Sequence, residues 1–332
     1  MQEAVEVLRR QADQGRQAVV ARIVEIEGFS TRPGDDLVAV DDTGSLHGTL
    51  LAGLGNEELK HAASSLLSGK EASVTSLTLD IHDKQAASAG LACGGRAHLL
   101  LQPASVIPGR LWQLLFARAP AALITPLDGA SPAWVVDREG RSWDHDAAIE
   151  LTGEAASMLA AGRTDRRRVE HSGHEYLIEA WVPEPRLVVV GGGELVEAIR
   201  AQADLLGWET RSCTAADDQL GELLDWAGDT GALIVLSHDP HVDSPALAAG
   251  LRGGAAYVGA LGSRATQARR TERLLESGVE QSDIDRIHRP IGLDLGGRRA
   301  PEVALAIVAE ILAAHCGRDA RPLAQRQGPI HG

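Results

Sequence analysis

Apolar positions in this chain follow two organisations, and the change falls near residue 183. Before it, short segments of both kinds follow one another irregularly. Val5, Leu8 and Ala12 mark one face of a predicted helix over 5–16, and residues 18–27 alternate as a half-buried strand does. Residues 37–40 and 46–51 read as strands joined by the hairpin turn Asp-Asp-Thr-Gly. Residues 56–69 read as a helix with Asn56 at its N-cap and Gly69 as its stop. Strands are predicted over 74–80, 97–101, 121–126 and 134–137, helices over 111–118 and 154–162, and a hairpin turning at Ser172-Gly173. Trp181-Val-Pro-Glu-Pro, extended by two prolines, is a natural linker. These elements predict an N-terminal α+β, strand-rich domain over 1–182 with a middle segment over 110–182, a C-terminal domain over 183–317, and a flexible tail over 318–332.

Beyond residue 183, buried-strand runs alternate regularly with helices. The run Leu187-Val-Val-Val190 meets Gly191, Gly192 and Gly193, and a helix over 194–207 follows. Further strands are predicted over 208–214, 232–236 and 256–259, with Ser244-Pro245 opening a helix that Gly253-Gly254 closes. A helix begins near Thr266, and a long, largely apolar one over 301–315 suits a buried or interface position. Such alternation predicts a Rossmann-like parallel sheet with helices on both faces, hence α/β overall, and ligands at the carboxyl ends of its strands.

Three stretches fall at those ends. The glycine turn aims N–H groups and a helix dipole at one point, as a phosphate site requires. Ser263 and Arg264 precede a second helix with a hydroxyl and a cation. The third, Ser-His238-Asp239-Pro-His241-Val-Asp243, has no familiar metal-ligand spacing, so no metal site is expected. As a dinucleotide fingerprint the glycine turn is incomplete: Val196 stands at the third small position, and the second strand ends on Cys213 and Thr214 without a ribose-binding acid. NAD(P) binding by an oxidoreductase and a tight turn without ligand both remain open.

A net charge of −14 argues against a nucleic-acid footprint, and no apolar run approaches bilayer length, so a cytoplasmic location is expected. The three cysteines, Cys93, Cys213 and Cys316, are widely spaced and suggest neither a disulfide framework nor a zinc ribbon. Cys93 sits in Ala-Gly-Leu-Ala-Cys-Gly-Gly-Arg, where it is either a small buried residue or a thiol made reactive by Arg96. The run Arg166–Arg168 reads as a solvated strand end.

The C-terminal stretches P-R-L-V-V-V-G-G-G, Y-V-G-A-L-G-S-R and R-I-H-R-P-I-G-L-D-L-G resemble the Rossmann domain of the XdhC/CoxI family. S-T-R-P-G, G-S-L-H-G-T and G-L-A-C-G-G-R are similar to that family's N-terminal domain. These are accessory factors of xanthine dehydrogenase, carbon monoxide dehydrogenase and related molybdenum hydroxylases. The resemblance implies a cofactor-insertion chaperone rather than an enzyme. It would bind molybdenum cofactor, as molybdopterin or its dinucleotide form, and deliver it to a hydroxylase apoenzyme, with a cysteine desulfurase and a homodimer in the background. Carried over by position, the cofactor-binding candidates are Gly191, Gly192, Gly193, Cys93, His238, Asp239, Gly259, Ser263, Arg264 and Asp294. Two positions depart: Leu54 replaces a cysteine of the family's G-G-C segment, and Glu194 replaces a histidine after the glycine turn. Those departures leave a third possibility, a docking scaffold that has lost its ligand.

Overall fold

The computed structural model describes residues 1–28, 37–69, 74–91, 93–129, 131–143, 148–216 and 218–325, Asp218 by its backbone alone. They form two compact units, one of Met1–Leu159 with Thr164–Val182, the other of Ala160–Arg163 with the chain from Pro183 onward.

The first unit is built on two antiparallel sheets. Helix α1 (Gln2–Asp13) leads into β1 (Ala18–Glu27), β2 (Leu37–Asp41) and β3 (Leu46–His47), followed by α2 (Asn56–Leu67), β4 (Thr75–Ile81), α3 (Asp83–Ser88) and β5 (Gly95–Pro103). The strands order as β3-β2-β1-β5-β4. Successive β1 residues point to opposite faces. Val19, Ala21 and Ile23 pack with Leu59, Ala63 and Leu66 of α2. Ala18 and Val20 pack with Val5 and Leu8 of α1 and with Leu111, Trp112 and Leu115 of α4 (Gly109–Phe116). The second sheet, ordered β7-β6-β9-β8, holds β6 (Ala121–Pro126), β7 (Trp134–Asp137), β8 (Asp165–His171) and β9 (His174–Trp181). Its outer face is closed by Leu151, Ala155 and Met158 of α5 (Ile149–Ala160).

Between the sheets lies an ion pair. Arg22 on β1 is fully buried and donates to the Glu179 carboxylate on β9 and to Gln102 Oε1 on β5. Burial presses its guanidinium below the usual value, and the charge of Glu179 opposes that effect.

The second unit is a doubly wound parallel sheet. Its elements are β10 (Leu187–Val190), α6 (Glu194–Leu205), β11 (Thr210–Cys213), α7 (Asp218–Ala227), β12 (Ala232–Val235), α8 (Pro240–Arg252), β13 (Tyr257–Ala260), α9 (Arg264–Glu276), α10 (Gln281–Ile284), β14 (Ile287–His288) and α11 (Ala300–His315). The order is β11-β10-β12-β13-β14, all parallel. Val188, Val190, Leu233 and Val235 face α7 and α8, while Leu187, Val189 and Ile234 face α6 and α11. The strands read as continuous apolar runs because both faces are covered.

Glu310 of α11 ties β13, β14 and the following loop together. Its carboxylate accepts from the Tyr257 hydroxyl at 2.6 Å and the Gly292 N–H at 2.7 Å, and lies 3.3 Å from His288 Nδ1. The Tyr257 and His288 rings stack at 4.2 Å. Burial alone would raise the Glu310 pKa, but hydrogen bonding from His288, Tyr257 and Gly292 outweighs it and holds the carboxyl below its usual range. Burial and the Glu310 carboxylate push the Tyr257 hydroxyl well above its usual value, so it stays a donor.

Three local expectations are corrected. Gly55, not Asn56, caps α2, in a left-handed conformation at φ +78° where a Cβ would come within 2.4 Å of Leu79. The strand expected over 46–51 stops at His47, because Gly48 turns away at φ +92°. Ser244-Pro245 lies inside α8. The helix opens instead at Asp239-Pro240, where the Asp239 carboxylate accepts the His241 N–H at 2.9 Å and the proline takes the first helical position. The turn over 30–36 lies outside the described residues, as do Ala92 and Asp217. No described helix is long and apolar enough to cross a membrane.

Replacing Glu179 with Ala strands a buried guanidinium and should lower stability by about 3–5 kcal/mol, read from urea unfolding. The double variant Arg22→Met with Glu179→Leu should recover most of the loss, and a wild-type midpoint for Glu179→Ala would refute the assignment. For Glu310→Gln the loss should be roughly 1–3 kcal/mol near neutrality. Because the folded-state pKa of Glu310 is depressed, its stabilisation is complete above the unfolded pKa of about 4.3 and fades as pH falls through the folded value. The melting-temperature gap between wild type and Glu310→Gln should therefore hold steady from pH 7 to 5 and close below about pH 4.

Candidate functional site

The strand order places the site. From β10 the chain moves one way to β11, then crosses back to β12 on the opposite flank, so a topological switch point opens between the carboxyl ends of β10 and β12. Val190 is in register with both Cys213 and Val235, and Val235 with Ala260. The strands therefore end level, and Thr214, Gly191, Leu236 and Leu261 begin one row of loops, about 4.8 Å from strand to strand.

Gly191 is required at this row. A Cβ there would stand 2.9 Å from the Leu236 Cβ, and the residue has φ +149°. Its N–H donates to the Cys213 carbonyl at 2.9 Å. At Gly192 and Gly193 a side chain would meet nothing within 4 Å, and Gly193 starts α6 without a side-chain cap. Their N–H groups find no acceptor among the described residues. Neither do the N–H groups of His238 after β12, or of Gly262 and Ser263 after β13. Ser263 Oγ caps α9 by accepting the Thr266 N–H at 3.3 Å.

The α6 and α9 ends at this row differ in charge. The first turn of α6 carries Glu194 and Glu197, which already complement its dipole. The first turn of α9 has no acid, and the exposed Arg264 begins it. An incoming anion is repelled at the first end and attracted at the second.

Beneath the row lies a buried polar cluster. Asp243 of α8 and Arg270 of α9 are 0% and 1% exposed. The Arg270 Nε and Nη2 reach Asp243 Oδ2 at 3.0 and 2.9 Å. Arg273 Nη2 lies 3.2 Å from both carboxylate oxygens, so two guanidiniums face one carboxylate. Arg270 also donates to the Ser237 carbonyl at 3.3 Å, the Leu261 carbonyl at 3.2 Å and Gln267 Oε1 at 2.7 Å. The Gln267 amide donates to the carbonyls of Ala260 and Gly262 at 3.1 and 3.2 Å.

Of the candidates from sequence, Gly191–Gly193, His238, Asp239, Ser263 and Arg264 lie along this row, and Asp294 is exposed in the loop beyond β14. Asp239 is spent on capping α8. Gly259 lies within β13, where a Cβ would come within 2.4 Å of Ile291, so its role there is close packing. Asp243, one of the four metal-type residues near His238, is committed to arginine; among the described residues no group of three His, Cys, Asp or Glu stands ready for a metal.

Cys93 belongs to the other unit, half-buried, its thiol donating to the Gly28 carbonyl at 3.2 Å. Arg96 is turned to its cross-strand neighbour Asp80 at 2.7 Å rather than held in reserve for the thiol. Leu54 packs against the core of that unit. A cavity of about 490 Å³ there, between the ends of α1 and α2 and Pro103–Ser105, is lined by none of the candidates.

Arg270, Gln267 and Glu310 escaped the sequence reading. The clue for the first two was present: α9 turns Gln267, Arg270 and Leu274 inward, so two of its three buried positions are polar.

Residues 187–311 match the XdhC Rossmann domain. The chain is 25% identical over 302 residues to the molybdenum cofactor insertion chaperone PaoD of Escherichia coli, covering 90% of this chain and 83% of PaoD. It is 29% identical over 193 residues to Escherichia coli YqeB, spanning 50% of this chain and only about a third (35%) of that relative. A crystal structure described as a xanthine dehydrogenase from Bacillus halodurans shares the fold, with a TM-score of 0.54, 18% identity and 98% of each chain covered. The Tyr257, Gly259, Ser263, Arg264, His288 and Asp294 positions that carry part of the resemblance all fall inside the matched Rossmann region, Tyr257 and His288 on Glu310, Gly259 within β13 and the others in the loops beyond the strands. Residues 187–311 are thus an XdhC Rossmann domain, in a chain similar over most of its length to a molybdenum cofactor insertion chaperone.

Proposed function

We propose that this protein is an accessory factor of molybdenum-enzyme maturation that binds molybdenum cofactor through its phosphate and hands it to a molybdenum hydroxylase. The observation that carries the reading is the row of unclaimed N–H groups at the switch point, in a chain similar over 90% of its length to a molybdenum cofactor insertion chaperone. The residues fit a phosphorylated ligand: the Gly262 and Ser263 N–H groups and Arg264 supply donors for the phosphate, and bare glycines at Gly192 and Gly193 leave room for the rest of it.

We place the phosphate at the α9 end rather than over α6. Glu194 is exposed at the first position of α6 and repels an anion, whereas Ser263 and Arg264 favour one. The glycine turn is then free for an uncharged part of the ligand. An NAD(P) site is the poorer match, since the buried Val196 occupies the third small position and β11 ends on Cys213 and Thr214. Cys93, the hydroxylase apoenzyme, a cysteine desulfurase and a homodimer belong to this proposal through the family resemblance.

Protein purified from a host that makes molybdenum cofactor, then denatured and oxidised, should release a fluorescent pterin. Arg264→Ala should cut the retained pterin roughly tenfold with folding intact, the worth of a charge-assisted phosphate contact. Glu194→Gln should raise it. Wild-type protein that carries no pterin under ample cofactor supply, yet binds NAD(P) tightly, would overturn the proposal.

A further inference from the structure

We infer that Arg270 and Gln267 are positioning residues: they turn the backbone N–H groups of His238, Gly262 and Ser263 toward the ligand by holding the preceding carbonyls from below. This rests on the cofactor reading for the ligand's identity, but its geometry stands by itself. In a planar trans peptide the C=O of one residue and the N–H of the next point in opposite directions. Arg270 draws the Ser237 carbonyl inward, which sends the His238 N–H outward. It draws the Leu261 carbonyl inward as well, which does the same for Gly262. Gln267 holds the Gly262 carbonyl and thereby aims the Ser263 N–H. The three N–H groups aimed in this way are among those left without an acceptor in the described residues.

The ion pair keeps the clamp in register. Arg270 is fixed on Asp243 through Nε and Nη2, and its remaining donors span two loops that leave two different strands. Only a planar fork reaches all of these acceptors at once. A lysine supplies the charge to Asp243 but a single point donor, so it cannot bridge both carbonyls. Packing alone would have been served by apolar residues at these buried positions; the polar pair is explained by the carbonyls it holds.

The test uses the full-length protein and inorganic phosphate as probe, followed by amide NMR, with thermal melting run in parallel. In wild type the amides of His238, Gly262 and Ser263 should shift saturably with phosphate. Arg270→Lys leaves a buried carbonyl without its donor and should melt below wild type while still folding, and it should weaken phosphate binding at all three amides by about tenfold or more, as loss of a supporting contact does elsewhere. Gln267→Ala releases the Gly262 carbonyl but leaves Arg270 on those of Ser237 and Leu261, so Ser263 should lose its response while His238 and Gly262 keep most of theirs. This variant also carries the test if Arg270→Lys fails to fold. Wild-type phosphate affinity in a folded Arg270→Lys protein, or three amides silent to phosphate in wild type, overturns the inference. The outcomes also separate it from the cofactor reading. Responsive amides in a protein that never carries pterin leave the clamp standing and remove the cofactor. Bound pterin with silent amides removes only the clamp.

Discussion

Everything in the second unit depends on the disposal of backbone polar groups where the parallel strands stop. Inside the sheet the central strands are paired on both sides by the ladder, but β10, β12 and β13 end level, and their loops leave the ladder together. A buried carbonyl without a donor is costly. Here the inward carbonyls are claimed by side chains from the helices, Arg270 and Gln267 from α9, while α11 sends Glu310 to take the Gly292 N–H on the next loop. Satisfying the inner half of each peptide leaves the outer half open. A row of donors at the surface follows directly from the partnered carbonyls beneath it.

The same logic explains why two distant sequence stretches travel together. Y-V-G-A-L-G-S-R supplies Tyr257 and the β13 loop, and R-I-H-R-P-I-G-L-D supplies His288 and the loop beyond β14. Tyr257, His288 and Gly292 meet on one carboxylate, Glu310, which neither stretch contains. Gly259 completes the fit by letting Ile291 lie against β13. Part of what makes these motifs specific is thus packing between neighbouring strands, while Ser263, Arg264 and Asp294 at their far ends are open to solvent.

The strands were legible because burial on two faces forces continuous apolar runs: the runs at 187–190, 121–126 and 134–137 coincide with observed strands. Helix starts were less so. Ser244-Pro245 has the right residues for a cap and first position, yet the chain uses Asp239-Pro240, which has them too and comes first. The Gly55 cap was hidden because it depends on Leu79, a contact from another strand. At the site, glycines and a capping serine announce themselves by local chemistry. Arg270 and Glu310 do not, because their partners are carbonyls and hydroxyls brought from 9 to 53 residues away.

The opposed charge of the two helix ends bears on what kind of site a carrier requires. An enzyme that keeps its cofactor profits from every donor it can aim at a phosphate, whereas a protein that must surrender its cargo needs an affinity its recipient can exceed. Each 1.4 kcal/mol of binding is a factor of ten in that competition. On the proposed reading Glu194 disfavours an anion at the α6 end, and the site at the α9 end rests on backbone N–H groups and the exposed Arg264 rather than on a buried guanidinium, because Arg270 and Arg273 are already engaged with Asp243. On the proposed reading the weak fingerprint therefore suits a carrier, since a rigid, well-oriented site of modest depth favours capture and release over retention.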